Sequence, residues 1–322
     1  MTDPSTSGNG NVNGNRFAAT DLLMILTTLI WAVNLSAIKF SLRDLPGHQF
    51  NGIRLPLASL LFLVVLALSG EGFKVDRRDL WKIAGLGFIG TTLYQVLFIQ
   101  GISLTPASTT SMITPMTPVF IALLSYFFKL EKIHWAAWIG IGVSFLGVYI
   151  ILLAQNGSAH FTWAAMRGGL FLLAANFFWA LYTVFSKPLL GRIPVLKMAV
   201  LTTAFGTLFF LPFGIPAVLR IPRGSVSAAT WGAVAYGAIL AIVLGFYLYY
   251  RSVQKLGNTK TGIYSNLNPV FAVIFAALVL GEKITALQVA GGAVVFLGLY
   301  LTRSGYRLFP AGRDRAIEFF RR

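Results

Sequence analysis

Acidic and basic residues are missing from long stretches of this 322-residue chain, and the gaps between them dictate what it can fold into. A helix that crosses a bilayer needs roughly 20 predominantly apolar residues, each rising about 1.5 Å. The 46 residues between Lys82 and Lys129 carry no charge, which is room for two spans joined by a turn at Thr105, Pro106, Ala107 and Ser108. Charge-free runs of 22, 27, 21 and 19 residues separate Lys197 from Arg220, Arg223 from Arg251, Lys260 from Glu282 and Lys283 from Arg303. Each holds one helix. With the apolar runs Asp21 to Phe40, Phe50 to Leu68, Trp135 to Leu153 and Gly168 to Ser186, ten spans are expected.

Composition agrees. Charged residues make up 11% of the chain and the mean hydropathy is +0.74, too few charges to cover a surface facing water. Zero cysteines exclude a disulfide framework, a thiolate metal site and a Cys nucleophile, and three dispersed histidines (His48, His134, His160) argue against a metal centre. No metal and no cofactor is expected. The net charge of +16 raises nucleic acid as a partner, but its distribution follows topology instead. With both termini inside, cytoplasmic loops hold 19 basic residues and the opposite loops four: Arg43, Arg220, Arg223 and Lys283. That bias fits a multi-pass protein of a bacterial inner membrane, with lipid and a small-molecule substrate as partners.

Residues 1–19, rich in Gly, Asn, Ser and Thr, are expected to be disordered, and 303–322 to form a basic cytoplasmic tail. Between them the chain repeats itself. Pro118-Val119-Phe120 matches Pro269-Val270-Phe271, Glu131-Lys132-Ile133 matches Glu282-Lys283-Ile284, and Phe145-Leu146-Gly147 matches Phe296-Leu297-Gly298, all at a shift of 151. At a shift of 148, Trp31-Ala32 matches Trp179-Ala180 and Lys39 matches Lys187. Two five-span halves follow, 20–153 and 165–302, with a linker at 154–164. Five is odd, so the second copy enters the membrane from the opposite face. The expected fold is all-α, ten transmembrane helices in two inverted repeats, a construction common among secondary transporters.

These paired motifs resemble the two EamA domains of the drug/metabolite transporter superfamily, over residues 20–303. The resemblance implies two inverted five-helix bundles around a central cavity lined by the first four helices of each half. It also implies metabolite export or exchange, with amino acid exporters, including those for aromatic amino acids, prominent.

Polar groups inside a bilayer are costly unless paired, so those retained there are candidates for function. Trp31 and Asn34 share one face of the first span, with Trp179 and Tyr182 as counterparts. An indole offers a flat apolar face and one donor, suited to an amphiphilic or aromatic solute; core packing is the competing use. The third span offers Tyr94, Gln95 and Gln100; its counterpart offers Tyr247, Tyr249 and Tyr250, a cluster beside Arg251 that reads better as an interfacial aromatic belt. Tyr94 and Tyr247 are retained as candidates. Thr109, Thr110, Ser111, Thr114 and Thr117 precede Pro118, and Tyr264, Ser265, Asn266 and Asn268 precede Pro269; the two asparagines are the stronger candidates there, since Ser and Thr commonly bond back to their own helix. Arg54, with a planar fork suited to carboxylates, is a candidate for substrate binding, whereas Lys39 is expected to snorkel to the headgroups. Glu131-Lys132 and Glu282-Lys283 are expected to cap turns.

No carboxylate or histidine lies deep in any span, which favours a facilitator or exchanger over proton-driven transport. Ala136, Gly140 and Ser144 form a stripe of small residues, open either to packing within the chain or to a homodimer. The function expected is transport of small amphiphilic metabolites, foremost amino acid export by alternating access, and not enzymatic. A multidrug or nucleotide-like metabolite carrier of the same fold is the alternative. A membrane-embedded lipid-modifying enzyme is less favoured, because Asp44, His48, His160 and Glu282 are dispersed.

Overall fold

The computed structural model describes residues 19–105, 110, 113–153, 163–222, 224–271, 274–275 and 285–308, and among these every regular element is helical. Helix α1 spans Ala19–Ser41, α2 Gly47–Leu68, α3 Arg77–Leu104, α4 Met116–Phe127, α5 Trp135–Leu153, α6 Trp163–Leu190, α7 Val195–Val218 and α8 Ala228–Leu256. A short α9, Asn258–Gly262, runs into a 3-10 turn at Ile263–Leu267, and α10 spans Ala286–Leu308. Seven of these helices are long and apolar enough to cross a membrane, and α4 and α5 are shorter apolar helices. The disordered stretch expected at 1–19 (all but Ala19), the linker up to Thr162, the Glu282-Lys283 turn, Pro106 to Ser108, Thr109, Ser111 and the tail beyond Leu308 lie outside the described residues, while Trp163 and Ala164, expected in the linker, open α6.

Two helices change their winding in mid-course. Phe88–Leu93 of α3 and Gly237–Leu244 of α8 are π-helical, a form concentrated at functional sites. Nothing in the charge pattern signals either segment.

Glycine seams set the closest packing. Gly140 and Gly147 of α5 meet Gly298 and Gly291 of α10; a Cβ on Gly298 would stand 2.3 Å from the Ser144 backbone nitrogen. Gly52 of α2 and Gly214 of α7 meet the same way. The small-residue stripe of α5 is therefore occupied by packing within the chain. The other neighbours come in matching pairs: α1 lies against α8 as α6 lies against α3.

Polar links close both ends of the bundle. At one end, Asp44 in the α1–α2 turn accepts from the Ser227 hydroxyl at 2.6 Å, the Thr230 hydroxyl at 2.6 Å and the Ser227 N–H at 3.1 Å, capping the start of α8. The Ser227 and Thr230 bonds hold the Asp44 carboxyl below the usual carboxylate range. At the other end, the Glu131 carboxylate accepts from Lys187 of α6 and, at the start of α9, from the Thr259 N–H at 3.0 Å and hydroxyl at 2.8 Å. Burial alone would raise the Glu131 carboxyl; Lys187 and the Thr259 and Asn258 N–H groups outweigh it and keep it low.

Arg303, read from the sequence as the first residue of a solvated tail, is instead a buried member of α10. Its Nε donates to Asp21 of α1 at 2.8 Å, and Tyr264 donates to the same carboxylate. The Asp21 carboxylate supplies what an isolated buried guanidinium would lack.

Candidate functional site

A cavity of ≈ 970 Å³ lies between α1, α2 and α3 on one side and α6, α8 and the segment after α9 on the other. It follows α1 from Trp31 to Phe40 and reaches Arg43 in the turn beyond, and so extends toward the end of the bundle marked by Asp44. Helical periodicity accounts for part of its wall: Trp31 and Asn34 lie one turn apart on α1, and Asn176 and Trp179 one turn apart on α6.

The floor is aromatic. Trp179 packs on Trp31 at 5.7 Å between ring centroids, on Tyr94 at 4.8 Å and on Phe246 at 5.4 Å. The Trp31 indole donates to the Ala241 carbonyl of the α8 π-segment at 2.9 Å, which fixes the ring across the cavity. Beneath lies a sealed layer: Tyr249 bonds Thr183 at 2.8 Å, and Tyr250 and Tyr182 reach Thr202 at 3.2 and 3.3 Å. Rings with their hydroxyls paired internally exclude water without leaving orphaned polar atoms.

The polar wall centres on Arg54. Its side chain is buried, donates to Asn51 and Gln95 at 2.8 Å each, and sits 4.9 Å from the Phe50 ring. Asn34 and Asn268 line the cavity, and the buried Oδ1 atom of each has no hydrogen-bond partner. Lys39 does not reach out to headgroups as expected; its Nζ donates to the Thr105 carbonyl at 2.8 Å, and the residue lines the mouth with Arg43.

Of the ten candidates read from sequence, the fold gathers Trp31, Asn34, Arg54, Tyr94, Gln95, Trp179 and Asn268 around this cavity. Three stand elsewhere. Tyr182 is fully buried behind Trp179, its ring against Gly90, where a Cβ would come within 2.1 Å of it. Tyr247 is half-buried and outside the wall, one residue from Phe246, which takes the place expected for it. Asn266 turns to α5 and donates to Ser144 at 2.9 Å. Tyr249 and Tyr250 form no interfacial belt, since both are buried in the core. Phe246 and Asn176 were passed over in the sequence. For Asn176 the signal was available: an amide in an apolar span, one turn from Trp179.

Among the described residues no group of His, Cys, Asp or Glu is placed to hold a metal. A second, smaller hollow of ≈ 410 Å³ at the opposite end contains Glu131, Lys187 and Thr259.

Comparison with known proteins accords with this geometry. The model of the EamA-like transporter family matches residues 18–153 and again 166–304. An uncharacterized transporter of Bacillus subtilis, YetK, is 31% identical over 283 residues, covering 87% of this chain and 86% of the relative. A protein of Streptantibioticus cattleyicolor named a probable terminal-alkyne amino-acid exporter is 33% identical, covering 86% and 91%. One named a probable amino-acid metabolite efflux pump, from Salmonella typhimurium, is 25% identical, covering 90% and 97%. A solved structure, 18% identical, superposes with a TM-score of 0.76 over 92% of this chain and 100% of its own, a likeness of fold.

Proposed function

We propose a specific transport function from a plain premise: the chain belongs to the EamA-like transporter family. It is a multi-pass membrane protein whose relatives are transporters. Our reading is a secondary carrier for small amphiphilic metabolites, foremost amino acids, working by alternating access and without enzymatic chemistry. Two inverted five-helix repeats, 20–153 and 165–302, form its halves. The duplicated motifs, the two family matches and the paired π-segments support that division.

One observation carries the reading: a cavity of ≈ 970 Å³, at the upper end of ordinary ligand pockets, is shared by helices of both halves and blocked at one end by aromatic rings. Trp31, Asn34, Tyr94, Gln95, Trp179 and Asn268 border the solute, with Arg54 among them. By the positive-inside bias, both termini are cytoplasmic and the cavity faces outward, the Glu131 cluster closing the inner side. Rocking of the halves then exposes the same cavity inward. With no carboxylate among the described lining residues, the carrier works as a facilitator or exchanger.

Counterflow in proteoliposomes tests this. Preloaded unlabelled amino acid should accelerate uptake of the labelled form. A folded protein that exchanges no solute across a broad metabolite panel overturns the reading.

A further inference from the structure

Resting on that reading, we infer that the cavity selects solutes by a carboxylate, which docks on Arg54, and rejects those carrying a net positive charge.

Charge comes first. Three cations line the cavity, Lys39, Arg43 and Arg54, and among its described residues there is no Asp or Glu. Lys39 and Arg43 stand at the mouth. Arg54 is the deep one, about 1% exposed. Its partners, Asn51, Gln95 and the Phe50 ring, are all neutral, so the guanidinium is buried without a counter-ion. Its Nε has no hydrogen-bond partner. Buried charges are ordinarily paired, and an orphaned guanidinium donor marks a place for an oxyanion.

A close helix contact backs it. Gly237 opens the π-segment of α8 opposite Arg54. A Cβ there would stand 2.8 Å from the Arg54 Cδ and 3.2 Å from the Asn34 Oδ1. The missing Cβ lets α8 close on Arg54 and hold its side chain against the cavity that it lines. A carboxylate on Arg54 would set a neighbouring ammonium, where a solute has one, toward Asn34. The body of the solute would then lie on Trp31, Tyr94 and Trp179, where only aromatic surface is offered. A cationic amphiphile meets the same rings, but it also meets three like charges and no acid.

Three probes share a phenyl ring and differ in charge: phenylpyruvate, L-phenylalanine and phenethylamine. Binding is read as the concentration dependence of the melting temperature of the purified full chain, and transport as counterflow. The two carboxylate probes should bind and be carried, and phenethylamine should not. Arg54→Gln should weaken the carboxylate probes by about tenfold or more, as for loss of a charged hydrogen-bond partner, with Arg54→Lys intermediate. Gly237→Ala, on the facing helix, should weaken the same two probes, which keeps a test in hand if Arg54→Gln fails to fold. Phenethylamine binding as well as phenylpyruvate overturns the inference, as does a folded Arg54→Gln that binds both carboxylates unchanged. If no probe binds while another solute is exchanged, carboxylate selection falls and transport stands; if nothing is exchanged, both fall.

Discussion

Lys187, at the C-terminal end of α6, donates to the carboxylate of Glu131 in the turn after α4, and the backbone of Thr259 donates to that carboxylate at 3.0 Å. One acid thus ties three separate segments at the end of the bundle away from the cavity. Replacing Glu131 by Gln removes the charge and should loosen that end by about 1–2 kcal/mol, a modest figure because Lys187 is partly exposed. The chain has no natural cysteine, so a buried Ala180→Cys reports directly. Maleimide labelling of that cysteine should quicken several-fold in the Glu131→Gln background; an unchanged rate would show that the tie does not close this end.

The same carboxylate makes a statement about pH. Its value in the folded chain is held below the ordinary one, so its contribution is complete above the unfolded value of about 4.3 and disappears as pH falls through the lower folded value. Labelling of Ala180→Cys, taken relative to that of a free thiol at each pH because only the thiolate reacts, should therefore be flat from neutral pH to about pH 5 and rise only in stronger acid. A rise between pH 7 and 6 would assign the closure to another group.

Trp179 touches Trp31, Tyr94, Tyr182, Phe246 and Tyr249. Trp179→Ala should abolish or re-tune transport and cost about 3–5 kcal/mol of stability, while the protein still inserts into the membrane. Trp179→Phe should recover much of both. Wild-type counterflow of every solute by the alanine variant would remove Trp179 from the path.

At the α5–α10 seam, a Cβ on Gly298 would fall 2.3 Å from the backbone nitrogen of Ser144, while one on Gly142, in the same α5, meets nothing within 4 Å. Gly298→Ala should lower the melting temperature, by an amount corresponding to about 1–3 kcal/mol, and Gly142→Ala should leave it within error. Equal behaviour of the two would mean that the helices do not approach so closely.

Flux should be insensitive to dissipation of a proton gradient, because the described cavity wall offers no acid or histidine to relay a proton. Uptake into proteoliposomes that collapses with the gradient would instead require a relay group elsewhere in the chain.

Much of the molecule was legible beforehand. Long charge-free runs exclude a water-soluble surface, and an all-helical membrane fold follows because only helices or closed barrels satisfy backbone groups in lipid. Ordered motifs recurring at shifts of 151 and 148 residues disclosed the family. Candidate residues were legible by type more than by place. The spans are apolar nearly all round, so no polar stripe marks which side of a helix faces inward.

Facing was decided by packing. Phe246 borders the cavity and Tyr247, one residue on, does not, since each step along a helix turns the side chain through about 100° and the preceding π-segment alters the phase. Tyr182 lies behind Trp179 because Gly90 makes room for its ring there, and Arg303 belongs to the interior because Asp21, 282 residues earlier, waits to pair with it. Amino-acid order alone determined that the chain enters a bilayer as helices and repeats itself, through hydropathy and spacing that act locally. Which seven candidates meet at one hollow, and which three do not, depended on contacts between helices far apart in the chain, and those exist only once the bundle has closed.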